Sequence, residues 1–357
     1  MNKRYFVGIQ GAAKNARLAA CDETGRVLSC IEVGPLGLRV NTDFKQAFNQ
    51  ACSRLASQLG FPSIAALSEA TDCLCVAMSG VFQDGDRFAV RHTLEDIGFV
   101  GRSQPVICED VWAVVAAEGL NSGATVMACT GSNVFIRNTA ETFVTIGGWG
   151  SELGDLGSGF HIGKMAIYRI LEAVDERRVI SPTFTSAILD SLSLDTATQL
   201  VPWYHELRNT SYWRSTIADI AITVTALAEQ GVEKNPTAVE IIDLASHEFT
   251  VSMKAGFRRA AAIGILTDKD PFPVVLSGGL GIASRSYWVA VQKGLTELKV
   301  ESVPAGSGNG WPEWNLKRAG HHPIIGALAM ALSRSKTVLN DGALSELFAS
   351  KVGEYRS

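Results

Sequence analysis

The stretch from Thr125 to Glu172 limits what this chain can fold into more than any other. Two apolar, strand-like runs flank Thr130-Gly131-Ser132-Asn133, a tight turn of small and hydroxyl residues. A third run, Phe143–Ile146, empties into Gly147-Gly148-Trp149-Gly150, and Gly154-Asp155 leads on to Gly157-Ser158-Gly159. Beyond these glycines Phe160, Gly163, Ile167, Ile170, Leu171 and Val174 recur at helical spacing. Small residues let backbone N–H groups approach an anion, and a helix N-terminus just past them adds favourable potential. A carboxylate at Asp155 does not suit an anion; it suits recognition of hydroxyl groups. The stretch therefore predicts an antiparallel meander feeding a helix, with a polar ligand near the turns.

The chain before it reads the same way. Tyr5–Ile9, Ala16–Cys21 and Arg26–Val33 are strand-like, joined by turns at Gln10–Asn15 and Asp22–Gly25, and form a second meander. Asp43 to Leu59 carries apolar residues at helical spacing, and Cys73–Met78 is a buried strand. Pro105–Cys108 is another strand, delivering Glu109-Asp110 to a helix over Val111–Glu118. After the central stretch, residues 186–263 are mostly helical, interrupted at Glu233-Lys234-Asn235-Pro236. Pro273–Leu276 runs as a strand into Ser277-Gly278-Gly279, a loop spans Ala305–Gly310, and a closing helix follows Pro323. The two halves form a weak structural repeat.

A chain of 357 residues exceeds the usual size of a single core, so two domains are expected. An apolar content of 46% with 34 glycines fits a globular α/β protein. A net charge of −4 without a basic block argues against nucleic acid as a partner. The seven cysteines have no metal-site spacing and read as small buried residues of a reducing cytosol. No apolar run reaches membrane-spanning length, and Met1–Arg4 precedes only a short strand, so a cytoplasmic location and no membrane partner are expected.

The order of these motifs resembles the N-acetylglucosamine kinase branch of the actin-like sugar-kinase superfamily, also called BadF/BadG ATPases. The matching pieces are Gln10–Asn15, Glu109-Asp110, Thr130–Asn133, Gly147–Gly150, Gly154-Asp155 with Gly157-Ser158, Leu276–Gly279, and Pro323 with Gly326-Ala327. The resemblance covers most of the chain and is weakest over 180–270. It implies an α/β fold of two ribonuclease-H-like lobes with ATP and sugar in a cleft between them. Residues 1–119 plus 321–357 would form one lobe and residues 120–320 the other, and a homodimer is expected.

The resemblance places the catalytic base at Asp110, which would take the proton of a sugar C6 hydroxyl as its oxygen attacks the γ-phosphate of ATP. An aspartate there also suits a helix N-cap. Sugar contacts fall on Asn41, Asn133, Gly148, Trp149, Asp155 and Gly159, although Trp149 equally suits a core position. Phosphate contacts fall on Gln10, Gly11, Lys14, Asn15, Thr130, Gly131 and Ser132, and Gly278 and Gly279 would pass under the adenine and ribose. Each glycine turn is also explicable as a turn alone. His321 and His322 read as surface or hinge residues.

The first turn departs from the family pattern, in which an aspartate helps hold hydrated Mg²⁺. Here the matching positions are Gln10, Gly11, Ala12, Ala13, Lys14 and Asn15, so the aspartate is a glutamine and the first threonine an alanine. An amide oxygen is a poorer Mg²⁺ partner than a carboxylate. Glu109 could supply the missing charge, or it is an exposed or strand-end acid. Three functions follow: an ATP- and Mg²⁺-dependent amino-sugar kinase, a weak or inactive relative that senses a sugar or nucleotide, and an ATPase activator of a dehydratase. The lack of a cluster-binding cysteine pattern argues against the third. Asp110, Asn133 and Asp155 together favour the first, and Gln10 favours the second.

Overall fold

A computed structural model describes residues 3–12, 14–38, 43–138, 142–266, 271–300, 313–334 and 342–350. The chain divides into two compact units, Met1–Asn121 with Ala319–Ser357, and Ser122–Arg318. In chain order the first unit opens with β1 (Tyr5–Gly11), β2 (Ala16–Asp22) and β3 (Val27–Val33). Then come α1 (Phe44–Gln58), α2 (Ile64–Ala70), β4 (Thr71–Met78), α3 (Asp84–Asp96), β5 (Val106–Cys108) and α4 (Asp110–Ala117). The second unit begins with β6 (Gly123–Ala128), β7 (Ser132–Arg137), β8 (Phe143–Gly147) and α5 (Gly159–Val174). It continues through α6 (Pro182–Ser191), α7 (Leu200–Leu207), α8 (Trp213–Ala228) and α9 (Pro236–Ala262). It closes with β9 (Phe272–Ser277), α10 (Gly279–Ala283), α11 (Arg285–Val300) and β10 (Trp314–Arg318). The chain then returns to the first unit as α12 (Pro323–Ser333) and α13 (Ala343–Phe348).

Both sheets have five strands and the same topology, β3-β2-β1-β4-β5 and β10-β9-β6-β7-β8 read from opposite edges. In each, three strands form an antiparallel meander, and the next two add in parallel beside the first of them. Parallel strands need crossovers, and the helices between β3 and β5, and between β8 and β10, provide them.

Strand alternation fixes the layers of the first unit. Val7, Ile9, Leu18, Leu74, Val76 and Met78 face a core shared with α1 and α2. Phe6, Ala19, Cys21, Cys73, Cys75, Ala77 and Cys108 face the other core, shared with α4, α12 and α13. The small side chains on that second face let α12 lie close to the sheet. Gly326 of α12 is packed so tightly on α4 that a Cβ there would sit 1.8 Å from the Ala113 carbonyl oxygen. Among the described residues no cysteine is in a disulfide, and burial raises the pKa of Cys73 to about 11. These thiols are packing residues.

Local signals fix the helix starts. Asp43 accepts from Gln46 N at 2.9 Å, Ser63 from Ala66 N at 3.2 Å, and Ser158 from His161 N at 3.1 Å. Proline opens α6, α9 and α12 at the first turn, where its missing N–H costs nothing. β10 is absent from the sequence-level reading: it is short, only partly buried and carries a weak alternation. The loop over Ala305–Gly310 lies outside the described residues. Among the described residues no helix is long and apolar enough to cross a membrane.

Candidate active site

In the first unit the strand register aligns Gln10, Ala77 and Cys108 across β1, β4 and β5. Gln10, Glu109 and Asp110 therefore share the C-terminal edge of three parallel strands, the edge at which α/β sheets hold ligands. The turn after β1 is pinned on two sides. Ser79 N donates to the Gly11 carbonyl at 3.0 Å, and Leu36 N donates to the Ala12 carbonyl at 3.0 Å. Gln10 is 5% exposed, and its Oε1 has no hydrogen-bond partner among the described residues. Such an orphaned oxygen is costly unless a ligand or water completes it. Lys14 and Asn15 are exposed, and the Asn15 side chain donates to Glu32 Oε1 at 3.1 Å. Asn41 lies outside the described residues, as does Ala13.

Asp110 is the first residue of α4, not its N-cap; that position belongs to Glu109, whose side chain makes no capping bond. Burial lifts the Asp110 carboxyl to about 6, against the pull of the N–H groups of Val111 and Asp110 itself. Glu109 directly follows β5, so it is an acid at a strand end, but at 6% exposure it is not an exposed one. Burial first, and the neighbouring Asp110 second, push its pKa to about 8, with Arg87 opposing. Two adjacent carboxyls are thus both raised toward neutrality, each chiefly by burial.

In the second unit the turn between β6 and β7 is shorter than expected: Ser132 and Asn133 already belong to β7. Cys129 N donates to the Gly131 carbonyl at 2.9 Å. Gly159 N and Phe160 N donate to the carbonyls of Cys129 and Thr130 at 2.8 and 3.2 Å, which bolts the turn to the start of α5. Ser132 Oγ donates to the Leu156 carbonyl at 2.7 Å, and Gly148 N to the Ser132 carbonyl at 3.1 Å. The segment carrying Gly148, Asp155 and Gly159 is thereby stitched to the turn carrying Thr130 to Asn133.

Asp155 has φ +52, a strained conformation for a residue with a side chain. Its carboxylate lies against Gly131, where a Cβ would come within 2.7 Å of Oδ2. Burial raises its pKa, and the N–H groups of Gly150 and Ser132, with Arg214, hold the shift back. Asn133 pairs with Gly147 across β7 and β8 and is buried, yet its Oδ1 has no hydrogen-bond partner among the described residues. Trp149 is 76% exposed, so the core alternative for it does not hold.

Gly278 follows β9 and opens α10, with its Cα facing the Ala128 carbonyl. Farther along, helices α9 and α11 enclose a cavity of about 740 Å³ lined by residues such as Asp243, His247, Arg285 and Lys293. None of these four stood out in the sequence, because each lies within an ordinary amphipathic helix. His322 is not a surface residue: burial, and then Arg17, lower its pKa to about 3, and its Nδ1 accepts from Ile324 N at the start of α12. Arg208 and Arg214 also escaped the sequence reading, being more than fifty residues from the loop they reach. Among the described residues no His, Cys, Asp or Glu groups of three or more form a metal cluster.

No protein-family model matches the chain. A curated relative, the N-acetylmuramic acid/N-acetylglucosamine kinase of Clostridium acetobutylicum, is 24% identical over 254 residues, 71% of this chain and 79% of the relative. A solved structure of a candidate N-acetylglucosamine kinase from Chromobacterium violaceum superposes with a TM-score of 0.67 at 23% identity, covering 93% of this chain and all (100%) of that one. The chain has the actin-like sugar-kinase fold. A glucokinase of the ROK family from Streptomyces griseus, solved with glucose and AMPPNP, shares the fold with a TM-score of 0.52 at 14% identity, covering 93% and 99% of the two chains. Within this fold the duplicated sheet of the two units is the two-lobe architecture expected from the sequence.

Proposed function

We propose that the chain is an ATP-dependent kinase that phosphorylates the C6 hydroxyl of N-acetylglucosamine or a related amino sugar. The observation that carries this reading is the pairing, in the second unit, of a buried Asn133 Oδ1 lacking a partner with an Asp155 carboxylate held over Gly131. Donors and acceptors so fixed suit the vicinal hydroxyls of a sugar, and a water-filled alternative would not need the strained backbone at Asp155. Amino-sugar kinases among the sequence relatives support the substrate class.

In this reading Asp110 accepts the proton from the sugar hydroxyl as its oxygen bonds to the γ-phosphorus. The bond from that phosphorus to the bridging oxygen breaks, releasing ADP. A base with a pKa of about 6 is ionised at neutral pH and still basic enough to help. Thr130, Gly131 and Ser132 supply hydroxyls and amides for the donor's phosphates. Gly278 and Gly279 back its nucleoside, and the cavity between α9 and α11 receives the base. Of the residues implied for phosphate at the first turn, Gln10, Gly11 and Lys14 keep that role here; Asn15 spends its side chain on Glu32.

Mg²⁺ belongs to the same proposal. Oxygen donors suit this ion, and the first unit offers Gln10 Oε1, which has no hydrogen-bond partner among the described residues. When bound with ATP it neutralises charge developing on the transferring phosphoryl group. The neutral Gln10 favours a second reading, a sugar-binding relative with little turnover. A phosphoryl-transfer assay over a panel of sugars, run with Mg²⁺ and with Mn²⁺, separates the two. Transfer to N-acetylglucosamine supports the kinase, and sugar binding without transfer supports the second reading.

A further inference from the structure

Gly157 lies between Asp155 and the first residue of α5, and both of its backbone polar groups are committed. Its N–H donates to His161 Nδ1 at 3.0 Å, and its carbonyl accepts from the Tyr287 hydroxyl at 2.6 Å, across 130 residues of sequence. Its φ of +82 is one that glycine adopts without strain. A Cβ there would stand 2.7 Å from both the Ala245 carbonyl oxygen and Phe249 Cβ. The next residue, Ser158, donates its N–H to the Asp155 carbonyl at 3.1 Å. Whatever holds Gly157 therefore also steadies the strained backbone of Asp155. Tyr287 itself is wholly buried, with its ring 5.8 Å from that of Phe249. Its N–H donates to Ser284 Oγ at 3.2 Å, which fixes the start of α11. Burial raises its pKa above the ordinary tyrosine range, so the hydroxyl stays a donor.

The helices that grip Gly157 also wall the cavity between α9 and α11. On α11, Arg285 and Ser286 line the cavity, and Tyr287 is the next residue. On α9, Ser246 and Thr250 line it, while their neighbours Ala245 and Phe249 press on Gly157. A ligand that fills the cavity thus acts on the same two helix segments that fix the backbone at Gly157. A close-packed interior transmits such a shift, and a short hydrogen bond gives it a direction.

We propose that Tyr287 is a positioning residue whose hydroxyl couples the cavity to the Asp155 segment, so that filling the cavity tightens the hold on the sugar. The proposal rests on the kinase reading for what occupies each place: a nucleoside base in the cavity and an amino sugar at Asp155. Coupling between two sites is reciprocal, so the sugar tightens the nucleoside by the same factor.

The test measures N-acetylglucosamine binding by calorimetry, with and without saturating adenosine, in wild type, Tyr287→Phe and Phe249→Leu. Adenosine has no phosphate with which to touch the sugar, so coupling between them must pass through the protein. In wild type adenosine should tighten the sugar by roughly fivefold or more. Tyr287→Phe keeps the ring and should bring that factor to about one, with the affinity for adenosine alone little changed. Phe249→Leu loosens the packing on the same ring but keeps the hydroxyl, and it should retain the coupling. Hydrogen exchange in wild type needs no variant: adenosine should slow exchange at the Gly157 amide, and an unchanged rate there overturns the proposal. Coupling that survives in Tyr287→Phe, or that is lost equally in Phe249→Leu, belongs to packing and overturns it too. Wild type that binds both ligands without coupling overturns the role of Tyr287 and leaves the kinase reading standing. If wild type binds the sugar and not adenosine, the assignment of the cavity falls and the coupling with it. If it binds adenosine and not the sugar, the amino-sugar reading falls and the coupling with it.

Discussion

The two β-hairpin turns of this protein occupy the same place in the same topology, yet they are built to opposite ends. The turn after β1 is held by other backbone segments, at Leu36 and Ser79, and leaves the oxygen of Gln10 buried and unpartnered. Next to it on the sheet edge stand Glu109 and Asp110, both with pKa values raised by burial. The turn after β6 is held by the first amides of α5, and the carboxylate beside it, Asp155, is tied down by backbone N–H groups. Burial therefore raises the carboxyls of both units, and at Asp155 the N–H groups of Gly150 and Ser132, with Arg214, oppose the rise. Duplication supplies two equivalent edges, and their electrostatic surroundings set them apart.

That contrast is broken most sharply at Asp110. Asp110→Asn should lower kcat by roughly 10²–10⁴-fold, the contribution of a positioned general base. Sugar affinity by calorimetry should change little. In the wild type the rate should rise with pH through about 6 and level off above it, because the base must be ionised. Near wild-type turnover in the variant would take Asp110 out of the reaction.

The corresponding change in the second unit is Gly131→Ala. The added methyl would stand 2.7 Å from Asp155 Oδ2, so the carboxylate must move. A displacement of about 1 Å at a positioning group costs on the order of 10²-fold. Here the loss should appear in sugar binding, measured directly, in addition to turnover. An unchanged sugar affinity would show that Asp155 is not a sugar contact.

Gln10→Asp sharpens the comparison from the other direction. A carboxylate at this turn should strengthen Mg²⁺ binding, raising turnover by about tenfold and lowering the Mg²⁺ concentration needed. Mn²⁺ binding followed by paramagnetic resonance gives a readout independent of turnover. If the added charge instead weakens nucleotide affinity, the turn has been remodelled beyond use of the metal.

The smallest effect concerns Glu109. Its folded pKa of about 8 lies above the ordinary 4.5, so the folded state binds its proton more tightly than the unfolded state does. The stability this confers is complete below about pH 4.5 and is lost as pH rises toward 8. Glu109→Gln, which cannot ionise, should match wild type at pH 4.5 and exceed it at pH 8 by at least about 1 kcal/mol in thermal or urea unfolding. Parallel pH profiles for the two proteins would mean that Glu109 is not buried as an acid.

Much of this was legible in advance. The meanders, the helix after Ser158 and the strand before Glu109 follow from local periodicity and turn chemistry, which act within a few residues. Asp110 and Asp155 could be singled out because each follows a strand or a glycine turn in a recognisable order. β10 could not be read, since its partner β9 lies some forty residues away and its own alternation is slight. The burial of Glu109 could not be read either; a charged residue at a strand end is usually solvated, and only the packing of the surrounding elements removes its water.

By itself the sequence determined the elements, their duplicated order and the kinds of chemical group at each turn, because propensity, capping and alternation are properties of neighbouring residues. Only the tertiary structure decided what those groups became. It left Gln10 Oε1 and Asn133 Oδ1 without hydrogen-bond partners among the described residues, raised Glu109 and Asp110 toward neutrality, set Asp155 over Gly131, and brought Arg208 and Arg214 to a loop more than fifty residues away. Desolvation, distance and hydrogen-bond satisfaction depend on atoms from remote parts of the chain, and these exist as neighbours only after folding.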